Sequence, residues 1–198
     1  MKNTKTLFFA LAFFMAATFS AFAQIQAPAP SPAATVSQVV GFTKINIDYS
    51  SPAVKGRKIF GEIEKYGVTW RAGANNQTVI EFSTPVSVGG KNLRAGKYSI
   101  FMTPMESGDW MVHLNGKAAS IFAYMKDGKI DEEAVAKDDA VALKGMTTRG
   151  GNTERLQYHI SAEDNKVAKV TMAWEGVMVS FMVDTQVEQK MEGFKSVF

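Results

Sequence analysis

Residues 44–49, Lys-Ile-Asn-Ile-Asp-Tyr, decide the fold class. Ile45, Ile47 and Tyr49 alternate with Lys44, Asn46 and Asp48, a period of two that lays one face of an extended strand on an apolar layer and leaves the other in water. The same alternation recurs outward along the chain. Ile80 and Phe82 alternate with Glu81 and Ser83, and the run 86–88 leads into Gly89-Gly90, a pair suited to a tight hairpin because both residues tolerate positive φ. Tyr98, Ile100 and Met102 oppose Lys97 and Ser99, and Trp110, Val112 and Leu114 follow the loop 104–109. In the C-terminal half Leu156, Tyr158 and Ile160 alternate with Gln157, His159 and Ser161. Ala168, Val170, Met172 and Trp174 continue the pattern, with Glu175-Gly176 expected to turn the chain into Val177, Val179, Phe181 and Val183. Short strands with turn signals at roughly 8 to 12 residue spacing predict an all-β chain, a single antiparallel β-sandwich of about eight or nine strands over residues 36–184. No fixed-period repeat points to a solenoid or propeller. The runs are shorter than the roughly 9 to 11 residues of outer-membrane strands, and their second faces carry charges.

Three stretches depart from the alternation. Residues 126–142 are charged and Ala-rich and read as an exposed loop with one helical turn, and Gly150-Gly151 reads as a turn. Residues 185–198 place Val187, Met191, Phe194 and Phe198 at helical spacing, which predicts a short C-terminal amphipathic helix packed on the sheet.

The N-terminus has the layout of a cleaved secretory signal over residues 1–23. Lys2 and Lys5 precede an apolar run at 7–19, and Ala21-Phe22-Ala23 supplies a small-residue site for cleavage before Gln24. Its removal takes two lysines and brings the formal net charge of +3 close to neutral, so the basic balance gives no case for nucleic acid. The reading is a periplasmic or secreted protein with no transmembrane span after signal cleavage. Residues 24–35, with Pro28, Pro30 and Pro32, read as an extended Pro/Ala-rich linker. The chain has no cysteine, which excludes disulfides, zinc fingers, iron-sulfur clusters, thiol nucleophiles and acylation at the cleavage site. With two histidines there is little for a metal site, and no cofactor fingerprint occurs, so neither metal nor cofactor is expected.

No catalytic residue is assigned from sequence. A histidine general base needs an orienting carboxylate, and no spacing around His113 or His159 supplies one; His113 reads as partly packed and His159 as solvated. The informative segment is 51–76, which lacks clean periodicity and concentrates donors in connecting chain: Lys55, Arg57 and Lys58 around Gly56, then Trp70, Arg71 and Asn75. Loops on a rigid sandwich are where recognition usually sits, and a guanidinium holds carboxylate or phosphate through two parallel bonds. Lys55, Arg57, Trp70, Arg71 and Asn75 are therefore the candidate ligand-binding residues, for a small anionic or sugar-like ligand or a cell-envelope partner. Two alternatives stand beside this. One is a hydrolase using Glu62 or Glu64 near Arg71; the other is a purely structural envelope protein in which Arg71 and Asn75 tie the crossover to backbone carbonyls.

The blocks Ser-Pro-Ala-Val-Lys-Gly-Arg-Lys-Ile-Phe-Gly at 51–61, Trp70-Arg71, Gly73-Ala74-Asn75, Ile80-Glu81-Phe82-Ser83 and Ala95-Gly96-Lys97-Tyr98-Ser99 together resemble the bacterial domain of unknown function 2911 from about residue 36 to 183. The resemblance implies an exported single domain with no established activity. The family's blocks fall on Lys55, Gly56, Arg57, Trp70, Arg71, Gly73, Ala74 and Asn75. The chain departs from the pattern at Ala72, where the family usually has threonine, at Ile121-Phe122-Ala123-Tyr124, which replaces W-G-x-Y, and at His113, a usually apolar position.

Overall fold

The alternating runs become strands because each can bury one face only by stacking against another sheet. A computed structural model describes residues 27–195; the signal segment, the start of the linker and Phe198 lie outside them. The elements are β1 (Ala33–Val40), β2 (Thr43–Ser50), β3 (Val79–Phe82), β4 (Val86–Val88), β5 (Lys91–Leu93), β6 (Gly96–Thr103) and β7 (Trp110–Asn115), then a 3-10 turn (Ile121–Tyr124). There follow β8 (Met125–Lys126), β9 (Lys129–Ile130), α1 (Glu132–Asp138), β10 (Asp139–Glu163), β11 (Val167–Asp184) and α2 (Val187–Lys195). Nine strands form one antiparallel sheet in the order β1-β2-β3-β6-β7-β10-β11-β4-β5, and β8 and β9 form a separate small pair.

The sheet is folded over at β10, whose residues 139–145 pair with β7 while 146–163 pair with β11. Gly145 sits at the crossing. A Cβ there would lie 2.7 Å from Val112 Cγ2 on β7 and 2.7 Å from Val179 Cγ1 on β11, so only glycine lets the strand pass between the layers. Ile45, Ile47, Ile100, Met102 and Leu114 from one half meet Leu156, Val170, Met172 and Val183 from the other in a single apolar core. At its centre the Phe60 ring stands edge-on to Trp110 at 4.7 Å and to Trp174 at 5.7 Å, and Trp70 stacks on Trp174 at 5.8 Å. The all-β antiparallel class and the nine-strand count agree with the reading of the sequence.

Gly89 and Gly90 turn the β4–β5 hairpin with φ of 57° and 78°. The other two turn signals serve differently. Gly150-Gly151 and Glu175-Gly176 fall opposite one another in the β10–β11 register, where Arg149 pairs with Val177 and Thr153 with Glu175. Both are absorbed as irregularities in one long hairpin, so β11 runs unbroken through Glu175, which takes a positive φ of 53°. The Glu175 carboxylate then accepts hydrogen bonds from the Ile59 and Phe60 amides, pinning the crossover loop.

The boundaries also shift. β1 begins at Ala33, inside the stretch read as linker, and the charged segment contains β9, the helix α1 and the start of β10 rather than a mostly open loop. The C-terminal helix is present, but no α2 side chain is buried, and Met191 and Phe194 are exposed. Its anchor is Lys190, whose Nζ donates to Thr84 Oγ1, Thr43 Oγ1 and the Pro85 and Thr185 carbonyls. Burial lowers the pKa of that ammonium from its usual value. No helix among the described residues is long and apolar enough to cross a membrane.

Candidate ligand-binding cleft

The crossover between β2 and β3 pairs with β6 at Trp70, which exchanges both backbone hydrogen bonds with Met102, at 2.8 and 2.9 Å. That short extended contact imposes the alternation of a strand on residues 69–71. Trp70 points into the core, 5% exposed, with its indole N–H bonded to the Gly73 carbonyl, while Thr69 and Arg71 lie on the other side. This side faces the insert formed by the 3-10 turn, β8, β9 and α1. Between them lies a cleft of about 570 Å³ whose lining includes Glu64, Thr69, Arg71, Phe122, Ile130 and Glu132.

Arg71 is held by its plane. Its Cζ lies 5.2 Å from the centroid of the Phe122 ring, within cation–π range, and its guanidinium makes no hydrogen bond or close ion pair among the described residues. Phe122 comes from the Ile-Phe-Ala-Tyr block, so the aromatic under Arg71 is one of the positions at which the sequence departs from the resembled pattern. Glu64 is fixed by a tight turn in which its amide donates to the Ile59 carbonyl and its carbonyl accepts from the Gly61 amide. Desolvation raises its carboxyl to about 7, against the opposing pull of Arg71. Glu132, the first residue of α1, accepts from the Thr69 amide at 2.9 Å and from the Thr69 hydroxyl. The helix is started by Asp131, whose side chain caps the Ala134 amide.

Of the five residues singled out in the sequence, Trp70 and Arg71 line the cleft. Lys55 is exposed at the tip of a turn with φ 49°, and its amide bonds the Glu154 carboxylate. Arg57 donates to the Ala53 and Val54 carbonyls of its own loop. Asn75, with φ 56°, donates to the Ser31 carbonyl and Ser50 Oγ, fastening the N-terminal segment. Glu62 is exposed and does not line the cleft, whereas Glu64 does.

The expectation that His113 lacks an orienting carboxylate is overturned. Asp139 Oδ2 lies 2.7 Å from His113 Nδ1, and Thr103 Oγ1 lies 3.1 Å from His113 Nε2. Asp139 begins β10 at a register irregularity beside β7, which swings it to the histidine. They are 26 positions apart in sequence, and only sheet pairing brings the two together. No cluster of three acidic or histidine side chains able to hold a metal occurs among the described residues.

Fold and cleft together define the class: a folded-over antiparallel β-sheet protein carrying a guanidinium and two carboxylates beneath a small insert. The chain belongs to the family described as protein of unknown function DUF2911, which matches residues 31–183. No curated protein and no solved structure matches it.

Proposed function

We propose that this is an exported binding module that holds a small anionic ligand, such as a carboxylate, phosphate or sugar acid, in the cleft beside Arg71. The observation that carries this reading is the state of the guanidinium. It is oriented by Phe122 and makes no hydrogen bond among the described residues, which leaves its donors for a planar anion. Thr69 and the apolar side chains of Phe122 and Ile130 give such a ligand's remainder a mixed polar and apolar wall. Export rests on the N-terminal signal pattern. A thermal-shift screen of small carboxylates, phosphates and sugar acids tests the site. A true ligand raises the melting temperature of the wild type and leaves Arg71→Ala unmoved; an equal rise in both removes the reading.

A second reading has a specific observation in its favour. Glu64 is a desolvated carboxyl in the same cleft whose pKa of about 7 suits a general acid or base, the property a hydrolase needs. Hydrolysis of a glycoside or ester library that disappears in Glu64→Gln would establish it over simple binding.

A further inference from the structure

We propose that Glu132, Thr69, Thr103, His113 and Asp139 form one proton relay, which makes Glu132 a proton-exchanging group of the cleft. The proposal deepens the reading of the cleft as a ligand site and adds what that site can do to a bound hydroxyl or acid group.

The contacts are continuous. Glu132 Oε2 accepts from Thr69 Oγ1, which lies 2.7 Å from Thr103 Oγ1; Thr103 Oγ1 lies 3.1 Å from His113 Nε2, and His113 Nδ1 lies 2.7 Å from Asp139 Oδ2. The histidine and aspartate side chains are 12% and 4% exposed, while Glu132 reaches the cleft. Counting hydrogens fixes the chemistry. The links Glu132–Thr69, Thr69–Thr103 and Thr103–His113 need one hydrogen each, and the two hydroxyls supply two. The third must come from an end of the chain, either from Nε2 of His113 or from the carboxyl of Glu132.

In the arrangement we assign, the third hydrogen is on His113 Nε2, because Glu132 already takes both Thr69 donors, the amide and the hydroxyl, and Asp139 Oδ2 stands against Nδ1. The bonds then run from Nε2–H to Thr103, to Thr69, to Glu132. If each hydroxyl passes its hydrogen one link along, Nε2 gives its proton to Thr103 Oγ1 and Glu132 Oε2 receives one from Thr69. Net charge is unchanged, no other reactant is needed, and the cleft gains a neutral acid where it had an anion. A ligand anchored on Arg71 that turns a leaving oxygen or an acidic hydroxyl towards Glu132 meets a group able to give or take that proton. His113 and Asp139 are positioning residues behind it.

The test reads the imidazole nitrogens of the 15N-labelled protein by NMR at pH 7. His159 is the only other histidine and is exposed, which makes it an internal control. Wild type is expected to show both His113 nitrogens protonated. In Glu132→Gln the Thr69 amide still requires the oxygen, so the amide nitrogen must donate to Thr69 Oγ1. That reverses both hydroxyls and strips the proton from Nε2, a change from protonated to bare nitrogen. Placed on Thr103→Val, the same substitution leaves His113 unmoved, and on Thr103→Ser it restores the response. An unchanged Nε2 in a folded Glu132→Gln overturns the relay. If that variant does not fold, identical His113 spectra for Thr103→Ser and Thr103→Val overturn it instead. Arg71→Ala keeps the wild-type His113 spectrum, so a failed relay and a failed binding site give different results.

Discussion

Strands β6 and β7 carry opposite chemistries on their two faces. Inward, Tyr98, Ile100, Met102, Trp110, Val112 and Leu114 join the large core between the sheet layers. Outward, Ser99, Thr103, His113 and Asn115 accompany the apolar Phe101 and Met111, and Phe101 packs with Ile121, Tyr124 and Val135 of the insert. The inner face is closed by a whole sheet layer and stays dry. The outer face is closed by a short insert whose few apolar residues cover only part of it, and polar side chains fill the remainder by bonding to one another. A small cover over a sheet creates buried polar networks and a cleft at its margin, whereas a large cover creates only core.

The largest effect expected from this contrast lies on the inner face. Trp110→Ala removes a fully buried ring from the Phe60, Trp70 and Trp174 cluster and should cost about 3–5 kcal/mol in urea unfolding. A cost below about 1 kcal/mol would mean that the two layers do not meet there in solution.

A smaller and more local effect belongs to the outer face. Asn115 is fully buried, donates to Tyr124 Oη at 2.8 Å and accepts from the Lys117 and Ala119 amides. Asn115→Ala should cost about 1–3 kcal/mol through the partners it orphans. Amide exchange should speed up in the insert while β10 and β11 stay protected; uniform acceleration would show that the insert is not a separate cover.

The smallest expected effect tests the cleft at the insert's margin. Burial raises the Glu64 carboxyl from near 4.5 to about 7, so the folded state holds that proton more tightly than the unfolded chain. Its contribution to stability is therefore present at low pH and is lost as pH rises through that window. Thermal melts of Glu64→Gln should match wild type near pH 4 and exceed it by a few degrees at pH 8. A wild type that gains relative stability as pH rises would place Glu64 in water.

Much of the sheet was legible because alternation is local: the inward residues of β2, β3, β6 and β7 follow from a period of two read off six or eight residues. The long β10–β11 hairpin was less so. Gly150-Gly151 and Glu175-Gly176 are ordinary turn signals, and only their pairing across the hairpin turns two breaks into a shared bend. Arg71 stood out in the sequence as a donor in an aperiodic segment. Arg57 and Asn75 stood out for the same reason, yet they fasten loops, because a side chain's chemistry does not reveal which carbonyl lies within reach.

The all-β class, the absence of thiol chemistry and the segment from which Arg71 comes can all be read from the amino-acid order, since composition and short-range periodicity are properties of neighbouring residues. Tertiary structure alone decided that Arg71 rests on Phe122, that Glu64 is desolvated beside it, and that Asp139 orients His113. Each of these joins residues separated along the chain, and the register of strands and the seating of the insert set their distances.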